Sequence, residues 1–166
     1  MADKVLEFFT RRRSVRAFTG APIDREQIEC ALKAAMAAPS ARNRRPWEFL
    51  VITDRDCVQS ICEAHPHARF GVNAAAVVLP IGTKQGYEWF DQDMGAATEN
   101  FLLAIANLGF GATWCGMPDR LQPAIRQHVA LPEDKFIFAL IPVGVPAEEK
   151  PARTQYETER VHWEAY

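Results

Sequence analysis

Apolar positions recur along the chain with two periods. Val5, Leu6, Phe8 and Phe9 fall at helical spacing and predict a short amphipathic helix over 3–12 that ends in an arginine run. Ile28, Ala31, Leu32, Ala35 and Met36 follow the i, i+3, i+4, i+7, i+8 pattern of a helix over 24–38. Asp24 and Gln27 resemble a capping box at its start, and Pro39 stops it. Continuous apolar runs at Trp47–Thr53, Ala75–Ile81 and Lys135–Val145 read as buried strands, with a helix over Asp54–Glu63 between the first two. The longest helix is expected from Glu88 to Leu108, with Met94, Ala97, Phe101, Ile105 and Leu108 as its stripe. Gly109 and Gly111 end it and open a short strand at 110–114. Met117-Pro118-Asp119 then starts a helix with Leu121, Ile125 and Val129 facing inward.

Helices and strands mixed without regular alternation point to an α+β fold. The 166 residues fit one domain spanning 1–166, with no repeats and no linker. Residues 146–166 are too polar for a core, yet carry Tyr156, Trp163 and Tyr166. That tail is expected to pack on something else, a second subunit being the first candidate. No apolar run reaches the length of a membrane span and no signal-peptide pattern opens the chain, so the expectation is a cytoplasmic protein without a membrane partner.

Charge sharpens this picture. Residues 1–45 carry ten basic side chains (Lys4, Arg11, Arg12, Arg13, Arg16, Arg25, Lys33, Arg42, Arg44, Arg45) against five acidic ones, while the whole chain is −2. An anion-binding surface in the first segment follows from that asymmetry. A nucleic-acid stripe is the competing reading, weakened by the acidic remainder and a pI near 6.1. Cys57, Cys62, His65 and His67 can be drawn as a metal site, but their spacing matches no usual zinc template, and ordinary loop residues are the plainer reading. No GxGxxG after a strand, no GxxxxGK[ST] and no Gly-x-Ser-x-Gly elbow occurs, so those nucleotide-binding and hydrolase mechanisms lack their motifs.

Three segments could carry chemistry. Arg12-Arg13-Ser14-Val15-Arg16 can converge guanidiniums and a hydroxyl on one phosphate, or be a solvated basic helix end. Pro39-Ser40-Ala41-Arg42-Asn43-Arg44-Arg45-Pro46-Trp47 offers donors and acceptors to a planar heterocycle, or is a plain connector. A helix with an acidic start at Asp91 and the pair Ala96-Ala97 leads into Leu108-Gly109-Phe110-Gly111-Ala112-Thr113-Trp114-Cys115-Gly116, where glycines permit close approach to a flat ligand.

In this order, and with Val143-Gly144 through Arg153 and Val161-His162-Trp163-Glu164 behind them, these motifs resemble the flavin-dependent nitroreductase family over nearly the whole chain. The resemblance implies a three-layer sandwich, a central antiparallel-rich sheet flanked by helices, in an intertwined homodimer whose C-terminal segments embrace. It implies FMN as cofactor and NAD(P)H as donor, with a nitroaromatic, quinone or similar electron-poor oxidant reduced in a ping-pong cycle. By that likeness Arg12, Arg13, Ser14 and Arg16 match the segment holding the FMN phosphate and ribityl chain, with Arg153 and Lys150 near the same phosphate. Pro39, Ser40, Ala41 and Asn43 match the loop laid against the flavin from the partner subunit. Thr113, Trp114, Cys115 and Gly116 match the stretch beside the isoalloxazine, where Cys115 would act through its amide rather than its thiol. The flavin carries the chemistry, so no protein side chain is assigned a catalytic role, and His65, His67, His128 and His162 read as structural. One departure stands out: Arg45, preceded by Arg44, replaces the glutamine that the family often has before Pro-Trp. Extra positive charge there would favour an anionic substrate or simply face solvent. Gly82–Trp89 is the one candidate lid, with Tyr87 or Trp89 able to stack on an aromatic substrate or merely to anchor the loop. An FMN-binding sensor or carrier without steady turnover is the alternative function.

Overall fold

A computed structural model describes residues 2–166. Its centre is the strand β2 (Ala76–Gly82), in which all seven residues are buried. That pattern is what a strand covered on both faces requires, since successive side chains point to opposite sides. β1 (Glu48–Ile52) pairs antiparallel on one side of β2 and β6 (Ala139–Gly144) on the other. The short strands β3 (Gly111–Ala112) and β4 (Cys115–Gly116) both pair with β6, and β5 (Phe136–Ile137) pairs with β2.

Alternation sorts the core into two layers. Val77, Leu79 and Ile81 of β2 and Leu140 of β6 pack with Val58 and Ile61 of α3 (Arg55–Ala64) and Ile125 of α5 (Gln122–Arg126). Val78, Ile141 and Val143 face the other way, onto Ala31 and Ala35 of α2 (Arg25–Met36) and Phe101, Leu102 and Ile105 of α4 (Phe90–Asn107). The architecture is therefore an α+β three-layer sandwich around an antiparallel sheet, as expected.

Several local expectations are corrected. The third long strand is broken: β5 holds Ile137 opposite Ile81, whereas β6 holds Ile141 opposite Val78, so three residues of one strand oppose two of the other. That is a β-bulge at 138–140, and it sets Phe138 against the Trp114 ring, 5.4 Å between centroids. β1 is a half-exposed edge strand rather than a buried one. Asp24 makes no side-chain cap, so the capping box is not formed, and Met36 lies 52% exposed at the end of α2. The helix expected after Pro118 is a 3-10 turn, Asp119–Leu121, running into the short α5.

α4 ends as its glycine requires. Gly109 has φ 87°, its N–H bonds the carbonyl of Ala106, and that of Phe110 reaches back to Ile105, a Schellman cap. The helix α1 (Ala2–Thr10) forms where expected, but its apolar side is not covered: Val5, Leu6, Phe8 and Phe9 are 43–59% exposed. Tyr156 and Trp163 of the tail are exposed as well. No described helix is long and apolar enough to cross a membrane.

Candidate functional site

Residues 10–19 and 145–153 lie along each other at the edge of the sheet. Val15 N–H bonds the Ala112 carbonyl at 3.1 Å, Thr19 N–H bonds Val145 at 3.0 Å, and Ala147 N–H bonds Ala17 at 2.8 Å. Gly111 makes this approach possible, since a Cβ there would stand 2.6 Å from a Val15 methyl. Side chains tighten the clamp. Lys150 Nζ donates to the Ser14 carbonyl at 2.7 Å and pairs with Glu148 at 2.9 Å, while Arg16 N–H donates to Glu148 at 2.6 Å. The Arg13 guanidinium donates to the Pro151 carbonyl. The Arg16 amide, more than Lys150, holds the Glu148 carboxyl below the ordinary glutamate value.

The clamp gathers Arg12, Arg13, Ser14, Arg16, Lys150 and Arg153 around one polar cavity of about 250 Å³, closed on one side by Phe9. Five cations face it. Two carboxylates touch them, Glu148 and Glu99, the latter 3.3 Å from Arg12. The Ser14 hydroxyl makes no hydrogen bond among the described residues. The cavity therefore keeps a net positive charge and an unused neutral donor, the set a phosphate dianion takes.

The 113–116 turn is joined to this clamp. Thr113, buried, donates its hydroxyl proton to the Val15 carbonyl at 2.7 Å. Trp114 stays 37% exposed, and a Cβ on Gly116 would meet nothing within 4 Å, so the turn offers an open flat face. Beneath it lies His65, fully buried. His67 N–H donates to its Nδ1 at 3.2 Å, so Nε2 carries the proton and donates to the Gly116 carbonyl at 2.9 Å. This support for the turn had no signal in the sequence beyond the two histidines, His65 and His67, in a loop. Among the described residues no three His, Cys, Asp or Glu are gathered as metal ligands, and Cys62 belongs to the core.

The Cys115 thiol is buried, and burial pushes it up to about 11, which keeps it protonated. Burial raises Cys62 to about 12. With iodoacetamide at pH 8, exposed Cys30 is expected to react at the rate of a free thiol and Cys115 only after unfolding. Labelling of Cys115 in the folded protein, read by peptide mass spectrometry, would reopen a redox role.

The 39–46 loop does not line that cavity. It is fastened instead to the first turn of α4: both Asp93 carboxylate oxygens accept from Ala41 N–H, at 3.1 and 3.2 Å. The Tyr87 hydroxyl bonds Asp93 and lies 3.2 Å from the Ala41 carbonyl, and Ser40 Oγ accepts from Arg45 N–H at 2.9 Å. Arg42, Asn43 and Arg45 are held at φ 47–55°, the left-handed region. Burial and the Asp93 carboxylate raise the Tyr87 phenol above its ordinary value. Tyr87 is thus an anchor, while Trp89 lies 46% exposed. Asp91, read from the sequence as the acidic start of the helix, is on the surface and pairs with Lys84 at 3.2 Å. Asp93, 6% exposed, is the residue that positions the loop.

The sequence model of the Nitroreductase family matches residues 9–65 and 62–145. A protein of Archaeoglobus fulgidus named "Putative NADH dehydrogenase/NAD(P)H nitroreductase" is 36% identical over 99% of both chains. A Bacteroides thetaiotaomicron crystal structure carrying the same name superposes with a TM-score of 0.92, at 31% identity over 98% of each chain. A nitroreductase from Desulfovibrio desulfuricans, solved in complex with FMN and itself named putative, superposes with a TM-score of 0.84 at 27% identity, over 98% of this chain and 97% of that one. With the motifs in order on this sandwich, the chain belongs to the nitroreductase family.

Proposed function

We propose that this chain is a cytoplasmic homodimeric oxidoreductase that holds FMN and passes electrons from NAD(P)H to nitroaromatic, quinone or related electron-poor compounds. The observation that carries the reading is the cavity of Arg12, Arg13, Ser14, Arg16, Lys150 and Arg153 beside the open 113–116 turn. Those residues fit FMN. The cations and the Ser14 hydroxyl would take its phosphate and ribityl chain, and the flat Trp114–Gly116 face would lie along its ring. When bound, FMN supplies acceptance of a hydride from NAD(P)H and its return to the oxidant, a ping-pong cycle. The protein's part is to bind and orient: Thr113 ties the turn to the phosphate clamp, and His65 holds Gly116 from below.

A second copy is the natural cover for what one chain leaves open. Full burial of a large apolar side chain stabilises by about 1.5–3 kcal/mol, so the exposed side of α1 and the aromatic tail favour association. The 39–46 loop, bound to its own α4 and absent from its own basic cavity, would then meet the partner's flavin through Pro39, Ser40, Ala41 and Asn43. Four unpaired cysteines suit a reducing compartment.

The purified protein is expected to be yellow, with FMN near one per chain. Anaerobic NADH or NADPH should bleach the visible flavin band, and a nitroarene or quinone should restore it. Colourless protein that cannot be reconstituted with FMN overturns the reading. Flavin that neither nucleotide bleaches leaves a sensor or carrier in its place.

A further inference from the structure

A second, larger cavity lies between the 39–46 loop and the connector 82–91. It measures about 540 Å³, within the range of small-molecule sites, and Arg42, Arg44, Lys84, Tyr87, Glu88 and Trp89 are among its walls. Lys84 is neutralised by Asp91 at 3.2 Å. Arg42 and Arg44 are not: among the described residues neither guanidinium has an ion pair or a hydrogen bond. Glu88, also without an ion pair among the described residues, is the one remaining acid of the rim, so the wall keeps a positive excess.

The chain holds both arginines in place. Arg44 lies over the Tyr87 ring, 4.9 Å from its centroid, and that ring is fixed through its hydroxyl to Asp93 and Ala41. Arg42 has φ 54° and ψ 25°, a left-handed conformation that a non-glycine residue adopts at a cost. Strain of this kind persists only where the surroundings impose it, and it clusters at ligand sites. Trp89 adds an indole nearly half exposed. The wall thus presents an aromatic plane and two guanidiniums that make no ion pair among the described residues.

We propose that this cavity takes a planar aromatic molecule carrying an anionic group, its ring against Trp89 and its anion between Arg42 and Arg44. As a statement about the oxidant it rests on the FMN reading, and it then makes anionic nitroaromatics or quinones the preferred substrates. The same chemistry, a ring with an anion beside it, also occurs in the adenosine 2′-phosphate end of NADPH, so the source has to be separated by experiment.

Calorimetric titration of the purified holoprotein with 4-nitrobenzoate and with 4-nitrobenzamide makes the comparison, since the two differ in charge and hardly in shape. At low salt the benzoate is expected to bind about tenfold more tightly, which corresponds to about 1.4 kcal/mol. In Arg42→Gln/Arg44→Gln that preference should vanish, and Trp89→Leu should weaken both ligands. Equal affinities in the wild type, or a preference that survives the double substitution, overturn the proposal. Adenosine 2′-phosphate against adenosine is the second arm. Arginine-dependent selectivity there, without any for nitrobenzoate, assigns the site to the donor and overturns its use by the oxidant. The flavin band of the same sample keeps the two readings apart. Colourless protein that selects the benzoate sinks the FMN reading alone, whereas yellow, reducible protein without selectivity sinks this one alone.

Discussion

Arg12→Ala/Arg16→Ala protein is expected to bind FMN about a hundredfold more weakly than wild type, with little change in its thermal midpoint. Each charge-assisted bond to a phosphate contributes about 1.5–3 kcal/mol, so two together allow a loss of about two to four decades. The lower end is the right one here, since Arg16 is exposed and Arg12 only half-buried, so water screens both bonds. Arg12 already has Glu99 at 3.3 Å, and the two side chains are 33% and 47% exposed, which keeps that pair weak in water. Burial raises the Glu99 carboxyl by more than Arg12 lowers it, so the pair does not compete strongly with a phosphate dianion. Fold stability is separable from this effect. The Arg16 contribution to the clamp is its backbone N–H on Glu148, which alanine retains, and the guanidinium itself lies over the half-buried Phe70 ring, 5.9 Å from its centroid. Quenching of FMN fluorescence measures the affinity, and Arg25→Ala/Lys33→Ala, on the far helix α2, is the charge-matched control. If the double variant stays within about threefold of wild type, less than about 0.7 kcal/mol, the phosphate has been assigned to the wrong residues.

What the sequence shows about this fold depends on how each signal is written. β2 and α4 are legible because a strand buried on both faces and a long helical stripe leave continuous patterns. The bulge at 138–140 is not, because the run from Phe136 to Val145 is apolar on both faces, and a one-residue slip changes nothing in such a pattern. The α1 pattern says that one side is apolar but not what covers it. Arg12–Arg16 and Lys150 meet only through the fold, across 136 positions of chain, so their convergence was readable from the family likeness and not from spacing.

Asp91 and Asp93 make the same point at the site. Both stand in the first turn of α4 and look alike in sequence, but at about 100° per residue they point about 200° apart. One must face solvent if the other faces the loop. Periodicity alone cannot say which, because an aspartate on the inner face violates the rule that the stripe is apolar. Such violations fall where polar backbone must be held, and here the polar group held is Ala41 N–H.

Asp93→Ala is accordingly expected to cost about 2–4 kcal/mol, a large share of the 5–15 kcal/mol that holds a typical domain. The substitution removes two charge-assisted bonds at once, from Ala41 N–H and from the Tyr87 hydroxyl; it leaves Ala41 N–H without an acceptor in a partly buried place and the Tyr87 hydroxyl with only the Ala41 carbonyl at 3.2 Å. Relief from burying the carboxylate offsets part of this, which is why the estimate stays below the sum of two full bonds. For a chain of this length each kcal/mol moves the midpoint by about 2–4 °C, so a fall of about 4–16 °C should appear in a thermal melt. Asp93→Asn keeps one carbonyl oxygen for Ala41 and is expected to lose about half as much. Asp91→Ala removes a pair whose members are 44% and 58% exposed and should shift stability by less than about 1 kcal/mol. The consequence extends beyond stability, because Asp93 and Tyr87 are what hold Arg42 and Arg44 at the second cavity. Once that support is gone, the left-handed turn at Arg42 and Asn43 can relax, and selectivity for 4-nitrobenzoate over 4-nitrobenzamide should fall in Asp93→Ala even at temperatures where the protein remains folded. Equal destabilisation by Asp91→Ala and Asp93→Ala would show that the loop is fastened elsewhere.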